Sequence, residues 1–170
     1  MPGPVTDPRA YELRERYHRA FRGEELPVPV ESIACDLLGL YVEEAALEGS
    51  GLLVPAERRI VVNASEPEPR RRFTLAHELG HWVCQVLEGH AAPVYCRDVD
   101  VSQAADRALE REANVFAAEL LMPEPAVREA FGGSVPECAA TFGVSEEAMH
   151  WRLYNLGLVA ERPASASAPR

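Results

Sequence analysis

The sequence predicts an α+β fold, in which a small three-stranded antiparallel sheet packs with several helices. Two short β-prone runs, Gly51–Val54 and Arg59–Val62, flank a four-residue turn that begins with Pro55, which is the pattern of a β-hairpin. A third such run, Leu40–Val42, precedes them. Longer segments before and after the hairpin carry apolar residues three and four positions apart, which indicates helices.

Two helices are predicted ahead of the sheet. Pro8 can open the first helix, and apolar residues recur at helical spacing from there until Gly23. The second helix has one apolar face and ends at Gly39, and that face contains Ile33, Ala34, Leu37 and Leu38.

After the sheet, the pattern predicts two long helices separated by a loop. The first covers roughly residues 71–87, and residues 89–102 form the loop. The second begins after Ser102, which suits an N-cap, and ends near Met122 because Pro123 cannot continue it.

The expected organisation is one domain at residues 1–124, a C-terminal helical segment at 125–160 and a disordered tail at 161–170. The C-terminal segment should contain three short helices. Residues 139–148 resemble the small-residue turn of a helix-turn-helix. Residues 134–160 carry three glutamates against one arginine, a net charge of −2, which is unfavourable for binding phosphates. Direct nucleic-acid binding is therefore not expected.

The composition restricts the chemistry. The 170 residues include 17 basic residues, all arginine, against 27 acidic residues, for a formal charge of −10. The absence of lysine excludes Schiff-base catalysis and a phosphate-binding P-loop lysine. The acidic balance argues against a chain that mainly grips nucleic acid or an anionic membrane.

The cysteines and the N-terminal sequence bear on the compartment. The four cysteines include no CxxC pair, so we expect free thiols in a reducing environment. The charged N-terminal segment does not have the pattern of a signal peptide. No apolar run reaches the ~18 residues of a membrane span. These observations predict a cytoplasmic protein with no membrane partner.

The motif with the clearest chemistry is His77-Glu78-Leu79-Gly80-His81, which lies in the first long helix. Histidines four residues apart on a helix share one face, with Cβ atoms about 5–6 Å apart. Their nitrogens can therefore reach one ion at bond lengths of about 2.0–2.1 Å. Glu78 is turned ~100° from His77, which places it beside the ion as a candidate general base.

A hydrolytic zinc site needs a third protein ligand and one open position. A third histidine six residues after His81 is ruled out because that position is Leu87. The second long helix offers Glu110 and Glu112. Glu110 shares a face with apolar residues and with Asn114, so it is the expected ligand, with Asn114 orienting a ligand histidine. Glu112 is the alternative.

The segments 73–81 and 110–123 resemble the ImmA/IrrE family of metallopeptidases, HExxH zinc peptidases of the gluzincin type. The likeness extends over most of residues 30–158. It implies a zincin-like core, a single zinc ion held by His77, His81 and Glu110, and Glu78 as the catalytic base. It also implies a protein substrate, a helix-turn-helix repressor, in stress response or the control of mobile elements.

The residue assisting at the oxyanion stays open among His90, Tyr95 and Tyr154. A DNA-binding regulator, or one that sequesters a repressor without proteolysis, is the alternative function.

Overall fold

The computed structural model describes residues 6–22, 26–89 and 104–163. Within them the elements follow in the order α1 Pro8–Phe21, α2 Val30–Ser32, β1 Tyr41–Ala45, β2 Gly51–Val54, β3 Arg59–Asn63, α3 Glu68–His81, α4 Ala104–Leu121, α5 Glu124–Ala130, α6 Val135–Phe142 and α7 Glu146–Asn155. A π-helical turn extends α2 over Ile33–Leu37 and another extends α3 over Trp82–Val86. The predicted α+β class is confirmed.

The sheet is mixed, so the prediction of an antiparallel sheet is wrong. Its strand order is β1-β3-β2, in which β3 pairs antiparallel with β2 and parallel with β1. The connection between β1 and β2 therefore passes from one edge of the sheet to the other. The side-chain amide of Asn63, at the end of β3, donates to the carbonyls of Leu47 and Gly49 at 3.1 and 3.0 Å and holds this connection. The hairpin formed by β2 and β3 was predicted correctly.

Helix α1 begins as its sequence predicts. The side chain of Asp7 accepts a hydrogen bond from the backbone N–H of Arg9 at 2.9 Å, and Pro8 occupies the first turn, where its missing N–H has no cost. The helix packs on α4 and on the π-helical turn after α2. The predicted stop at Gly23 lies outside the described residues.

Helices α3 and α4 form the central pair, and α3 also packs on β2 and β3. Gly80 allows the two helices to approach closely, because a Cβ atom there would lie 2.9 Å from Cα of Ala113 and 3.0 Å from its carbonyl oxygen. Helix α4 ends before Met122 and Pro123, as predicted. Its predicted N-cap, Ser102, and the predicted loop 90–102 lie outside the described residues.

The three predicted C-terminal helices are confirmed as α5, α6 and α7. Arg152 of α7 and Arg14 of α1 both form ion pairs with the buried carboxylate of Glu119 on α4. Arg152 also donates to the carbonyl of Met122 at 2.9 Å. This cluster fixes α1 and α7 to the helix that supplies Glu110. The helix-turn-helix interpretation, the boundary at residue 124 and the disordered tail stay predictions, and the tail beyond residue 163 is outside the described part.

In the part of the chain that the structure describes, no helix is both long and apolar enough to cross a membrane.

Candidate metal centre

Helix α3 brings two histidine side chains to one point. The Nε2 atoms of His77 and His81 lie 3.1 Å apart, and the two rings meet nearly edge to face at 86°. His81 is fully buried and His77 is 9% exposed, because this face of α3 packs on the sheet and on α4. The predicted convergence of the two imidazoles is therefore confirmed.

Glu110 reaches both histidines from α4. Its Oε2 lies 3.1 Å from Nε2 of His77, and its Oε1 lies 3.2 Å from Nε2 of His81. Among the described residues, these three side chains form the one group of three or more His, Cys, Asp or Glu whose atoms lie close enough to hold a metal ion. The close contact of Gly80 with Ala113, one helical turn from Glu110, lets the two helices come within reach.

The distances fit a metal ion. Three ligands on a tetrahedral zinc-like ion, each about 2.0–2.1 Å from it, would have their donor atoms roughly 3.3 Å apart. The separations of 3.1 to 3.2 Å among the Nε2 atoms and the Glu110 oxygens are close to that value. Two imidazoles and one carboxylate also leave a position open for water or substrate.

Hydrogen bonds set the histidine tautomers that a metal requires. Nδ1 of His77 donates to Oδ1 of Asn114 at 3.1 Å, the contact that the predicted role of Asn114 requires. Nδ1 of His81 donates to Oε1 of Gln85 at 2.6 Å. Because each Nδ1 donates, the Nε2 atom of each ring is left to bind a metal ion when the imidazole is neutral, or to donate to Glu110 when the imidazole is protonated and no metal is bound.

Electrostatics favour the charged form of Glu110. Burial alone would raise the pKa of Glu110, but hydrogen bonds from His77 and His81 outweigh it and hold that pKa well below its usual range. For His81, burial would lower the pKa, but hydrogen bonds with Glu110 and Gln85 raise it above its ordinary value. Glu110 is therefore ionised at neutral pH, as a metal ligand must be.

Glu78 is fully buried on the same helix, next to strand β2. A Cβ atom at Gly51, the first residue of β2, would lie 2.8 Å from Oε1 of Glu78 and 2.5 Å from Cγ2 of Thr74. Only a glycine leaves room there for the carboxylate. The negative charge of Glu78 also helps to raise the pKa of His81.

Glu112, the alternative ligand from the sequence, lies outside the three-residue group. Its Oε2 accepts from Nε2 of Gln85 at 3.1 Å, and its Oε1 accepts from the guanidinium of Arg9 at 2.7 Å. Arg9 also pairs with Asp7 at 2.7 Å. Glu112 therefore connects Gln85, the partner of His81, to helix α1.

Sequence reasoning did not find Gln85, Arg9 or Gly51. A signal existed for Gln85, which lies four residues after His81 and so on the same helical face. No sequence signal connects Arg9 to this site, because 103 positions separate it from Glu112. The sequence places Gly51 in a β-prone run but gives no reason why this position is glycine.

The oxyanion residue stays undecided. His90 and Tyr95 lie outside the described residues. Tyr154 lies on α7, where its ring packs edge to face on Trp151 with centroids 6.1 Å apart. It is not among the described residues that line the cavity next to Glu110.

That cavity has a volume of about 850 Å³ and runs between α3, α4 and α7. Glu110 and Asn114 form part of its wall, so the cavity reaches the three-residue cluster at Glu110. The site therefore combines two buried histidines with a partly exposed carboxylate at the wall of a large cavity.

A cluster of two histidines and one glutamate could hold a metal ion, and comparison with known proteins gives the class of protein to which it belongs. Residues 35–154 match the Peptidase_M78 family, whose model is described as the IrrE N-terminal-like domain. The chain belongs to this family, the ImmA/IrrE metallopeptidases, and a metal ion is implied.

Two curated relatives are similar to the chain. The radiation response metalloprotease IrrE of Deinococcus radiodurans is 33% identical over 79 residues, which cover 46% of this chain and 24% of IrrE. The metallopeptidase ImmA of Bacillus subtilis is 27% identical over 135 residues, which cover 75% of this chain and 77% of ImmA. The chain thus matches about a quarter of the length of IrrE and about three quarters of the length of ImmA.

Proposed function

We propose that this chain is a zinc-dependent endopeptidase that hydrolyses a peptide bond in a protein substrate. The observation that carries the proposal is the convergence of His77, His81 and Glu110 within 3.1 to 3.2 Å. Membership of a metallopeptidase family supports the reaction class. Two nitrogens and one oxygen with an open position favour zinc among the common metals.

In this proposal the side chains have separate roles. His77, His81 and Glu110 would hold the ion, and Asn114 and Gln85 would keep the imidazoles in the required tautomer and orientation. Zinc supplies Lewis acidity, which polarises a peptide carbonyl and lowers the pKa of water to about 7. Glu78 would take a proton from the attacking water and give it to the amine that leaves.

Strand β2 offers a way to align the substrate. It is an edge strand, since among the described strands it pairs with β3 alone. Its first residue, Gly51, lies against Glu78. An extended peptide that adds to this edge would pass beside the general base, with main-chain hydrogen bonds holding its direction.

The proposed substrate is a helix-turn-helix transcriptional repressor, cleaved in stress response or in the control of mobile elements. The name of one relative, a radiation response metalloprotease, supports a stress role. We place the activity in the cytoplasm, since Cys35, Cys84 and Cys138 are free thiols, as in reducing compartments.

The test combines metal analysis with proteolysis. The purified chain is analysed for zinc and then incubated with the repressor encoded beside its gene, followed by mass spectrometry of the fragments. We expect about one zinc per chain. Glu78→Gln should keep zinc and lose cleavage, and Glu110→Ala should bind zinc weakly. Normal cleavage by Glu78→Gln would remove Glu78 from the role of base.

The matched control for the third ligand is Glu112→Ala, two residues further along the same helix. It removes a carboxylate of α4 that contacts the three-residue group only indirectly, through Gln85, so it should weaken zinc binding less than Glu110→Ala does. If Glu112→Ala lost zinc and Glu110→Ala kept it, the ligand assignment would move to Glu112.

The alternative is a regulator that binds a repressor or DNA without cutting. Zinc binding with repressor capture and no fragments, even after long incubation, would favour sequestration. Sequence-specific DNA binding by the chain would favour a DNA-binding regulator. The net charge of −2 over residues 134–160 makes that outcome unexpected.

A further inference from the structure

The cavity beside Glu110 has two chemically different parts. Towards the beginning of α4, it is lined by Arg107 and Arg111, and Arg70 of α3 lines it as well. Beyond Glu110, the wall of α4 becomes apolar at Val115 and Ala118. Phe73 of α3 and Trp151 of α7 add aromatic surface.

The arginines are concentrated in an acidic protein. The chain has a net charge of −10, yet four arginines line this cavity against the carboxylates of Glu110 and Glu147. Two of the four have carboxylate partners outside the lining, since Arg152 pairs with Glu119 and Arg70 with Glu66. Glu110 belongs to the metal-ligand cluster, which leaves Glu147 as the other acidic side chain of the lining. The local excess of positive charge therefore favours an anionic group in the cavity.

Arg107 and Arg111 differ from several other arginines of the chain in their exposure and in their contacts. They are exposed and four residues apart on α4, an arrangement in which like charges repel. Among the described residues, neither has an ion pair or a side-chain hydrogen bond. By contrast, Arg9, Arg14, Arg72 and Arg152 are bound to carboxylates or carbonyls of the protein. Two guanidinium groups on one helical face can hold a carboxylate through charge-assisted hydrogen bonds.

Helix α4 places the two arginines close to the proposed metal ligand Glu110. Arg111 and Arg107 are one and three residues from Glu110, which places them about 1.5 and 4.5 Å from it along the helix axis. An extended peptide advances about 3.3 Å per residue. A substrate side chain that meets these arginines would thus lie within about three residues of the bond at the metal site.

We propose that this cavity is a specificity subsite that selects a substrate segment with an aspartate or glutamate within three residues of the scissile bond. Arg107 and Arg111 bind the carboxylate, and Arg70 adds positive charge. The wall at Val115, Ala118 and Phe73 accepts apolar side chains from the other side of the bond. The inference rests on the proposed peptidase function and names the substrate sequence class that it takes.

The experiment uses a random peptide pool and the full chain loaded with zinc. Cleaved peptides are identified by mass spectrometry, and residue frequencies are counted around each cut. We expect Asp and Glu to be enriched at least threefold at one position within three residues of the cut. The double variant Arg107→Gln/Arg111→Gln should lose that enrichment.

The matched control is Arg16→Gln/Arg19→Gln, which removes the same charge from the exposed face of α1, outside the cavity. It should keep the enrichment. A loss of equal size in the control would show a general effect of charge and would overturn the subsite. Cleavage with no acidic preference would overturn it too, while leaving the peptidase function intact.

A second measurement separates this inference from failure of catalysis. Immobilised, zinc-loaded Glu78→Gln chain captures peptides from the same pool without cutting them. Enrichment of acidic peptides that disappears on adding Arg107→Gln/Arg111→Gln would support the subsite even if the wild type cut nothing. Equal capture of acidic and neutral peptides would overturn it.

Discussion

Gln85 donates its side-chain amide to Glu112 across 3.1 Å, and this bond joins the helix that carries the two histidines to α4. The other end of the same amide accepts from His81. The bond to Glu112 thereby determines which atom of Gln85 faces the imidazole, because the amide nitrogen is already engaged.

The role of Gln85 is tested with Gln85→Leu, which keeps similar volume and removes both hydrogen bonds. We expect zinc affinity to fall by roughly 10- to 100-fold, as for other partners of metal-bound histidines. Competition with a chromophoric chelator measures it. A thermal melt of the metal-free variant gives the separate effect on stability, and unchanged zinc affinity would contradict the role.

Arg9 is tested with Arg9→Met, with Arg16→Met on the same helix as the control. Arg9 pairs with Asp7, Glu88 and Glu112, whereas Arg16 is exposed. We expect Arg9→Met to lower the free energy of unfolding by about 1–2 kcal/mol and the control by less than about 0.5 kcal/mol. Zinc affinity should fall less than in Gln85→Leu, because His81 keeps its direct partner. Equal unfolding free energies in urea titrations of the two variants would refute this.

The close helix contact is tested with Gly80→Ala. The added methyl group would meet the backbone of Ala113, so α3 and α4 must separate, at a cost of typically 1–3 kcal/mol. Separation also moves Glu110 away from the histidines, so zinc affinity should fall. The control is Gly132→Ala, where nothing lies within 4 Å of the new Cβ atom. Thermal melts and chelator competition report the two effects, and a Gly80→Ala variant indistinguishable from the control would show that the contact is loose.

The buried ion pair is tested with Arg152→Met. Arg152 and Glu119 have side chains only 2% and 6% exposed, so removing the arginine leaves a buried carboxylate with Arg14 as its remaining cation. We expect a loss of about 3 kcal/mol, at the lower end of the range for breaking buried pairs. Arg128→Met, which breaks an exposed pair with Glu124, should cost less than about 1 kcal/mol. Similar urea midpoints for both variants would be incompatible with the burial of Glu119.

The buried thiol of Cys84 should make the free energy of unfolding depend on pH in the alkaline range. Burial raises the pKa of its thiol to about 12. In the unfolded chain the thiol ionises near 8.5, so its contribution is complete below that pH and is lost as pH rises towards 12. Between about pH 10 and 11, wild type should therefore lose about 1.3 kcal/mol per pH unit more than Cys84→Ala. Parallel curves for the two proteins would contradict the raised pKa.

The sequence predicted what depends on local spacing. Four-residue spacing places His77 and His81 on one face of any helix, and the run Ile60-Val61-Val62 is typical of a buried strand wherever it pairs. Pro8 and Pro123 limit helices by their covalent geometry. These features were found because each is decided within one or two helical turns.

The rest depends on contacts between distant segments. The parallel pairing of β1 with β3 requires Asn63 to hold the connection before β2, and no local pattern shows where that connection passes. The separation of roles between Glu110 and Glu112 follows from which face of α4 meets α3, and Gly80 permits the close contact of that face at Ala113. Helical periodicity favoured Glu110, but it could not show that Arg9 engages Glu112.

The bond between Arg9 and Glu112 bears on how far the chain can be shortened without disturbing the metal centre. The segment that matches the family model, residues 35–154, includes His77, His81, Glu110, Gln85 and Glu112. A chain shortened to that segment would keep every ligand and lose Arg9. The carboxylate of Glu112 would then lose its cation, and Gln85 would be held from one side by an unneutralised charge. We therefore expect a fragment of this chain that begins before Asp7 to hold its metal more tightly than one that begins at residue 35.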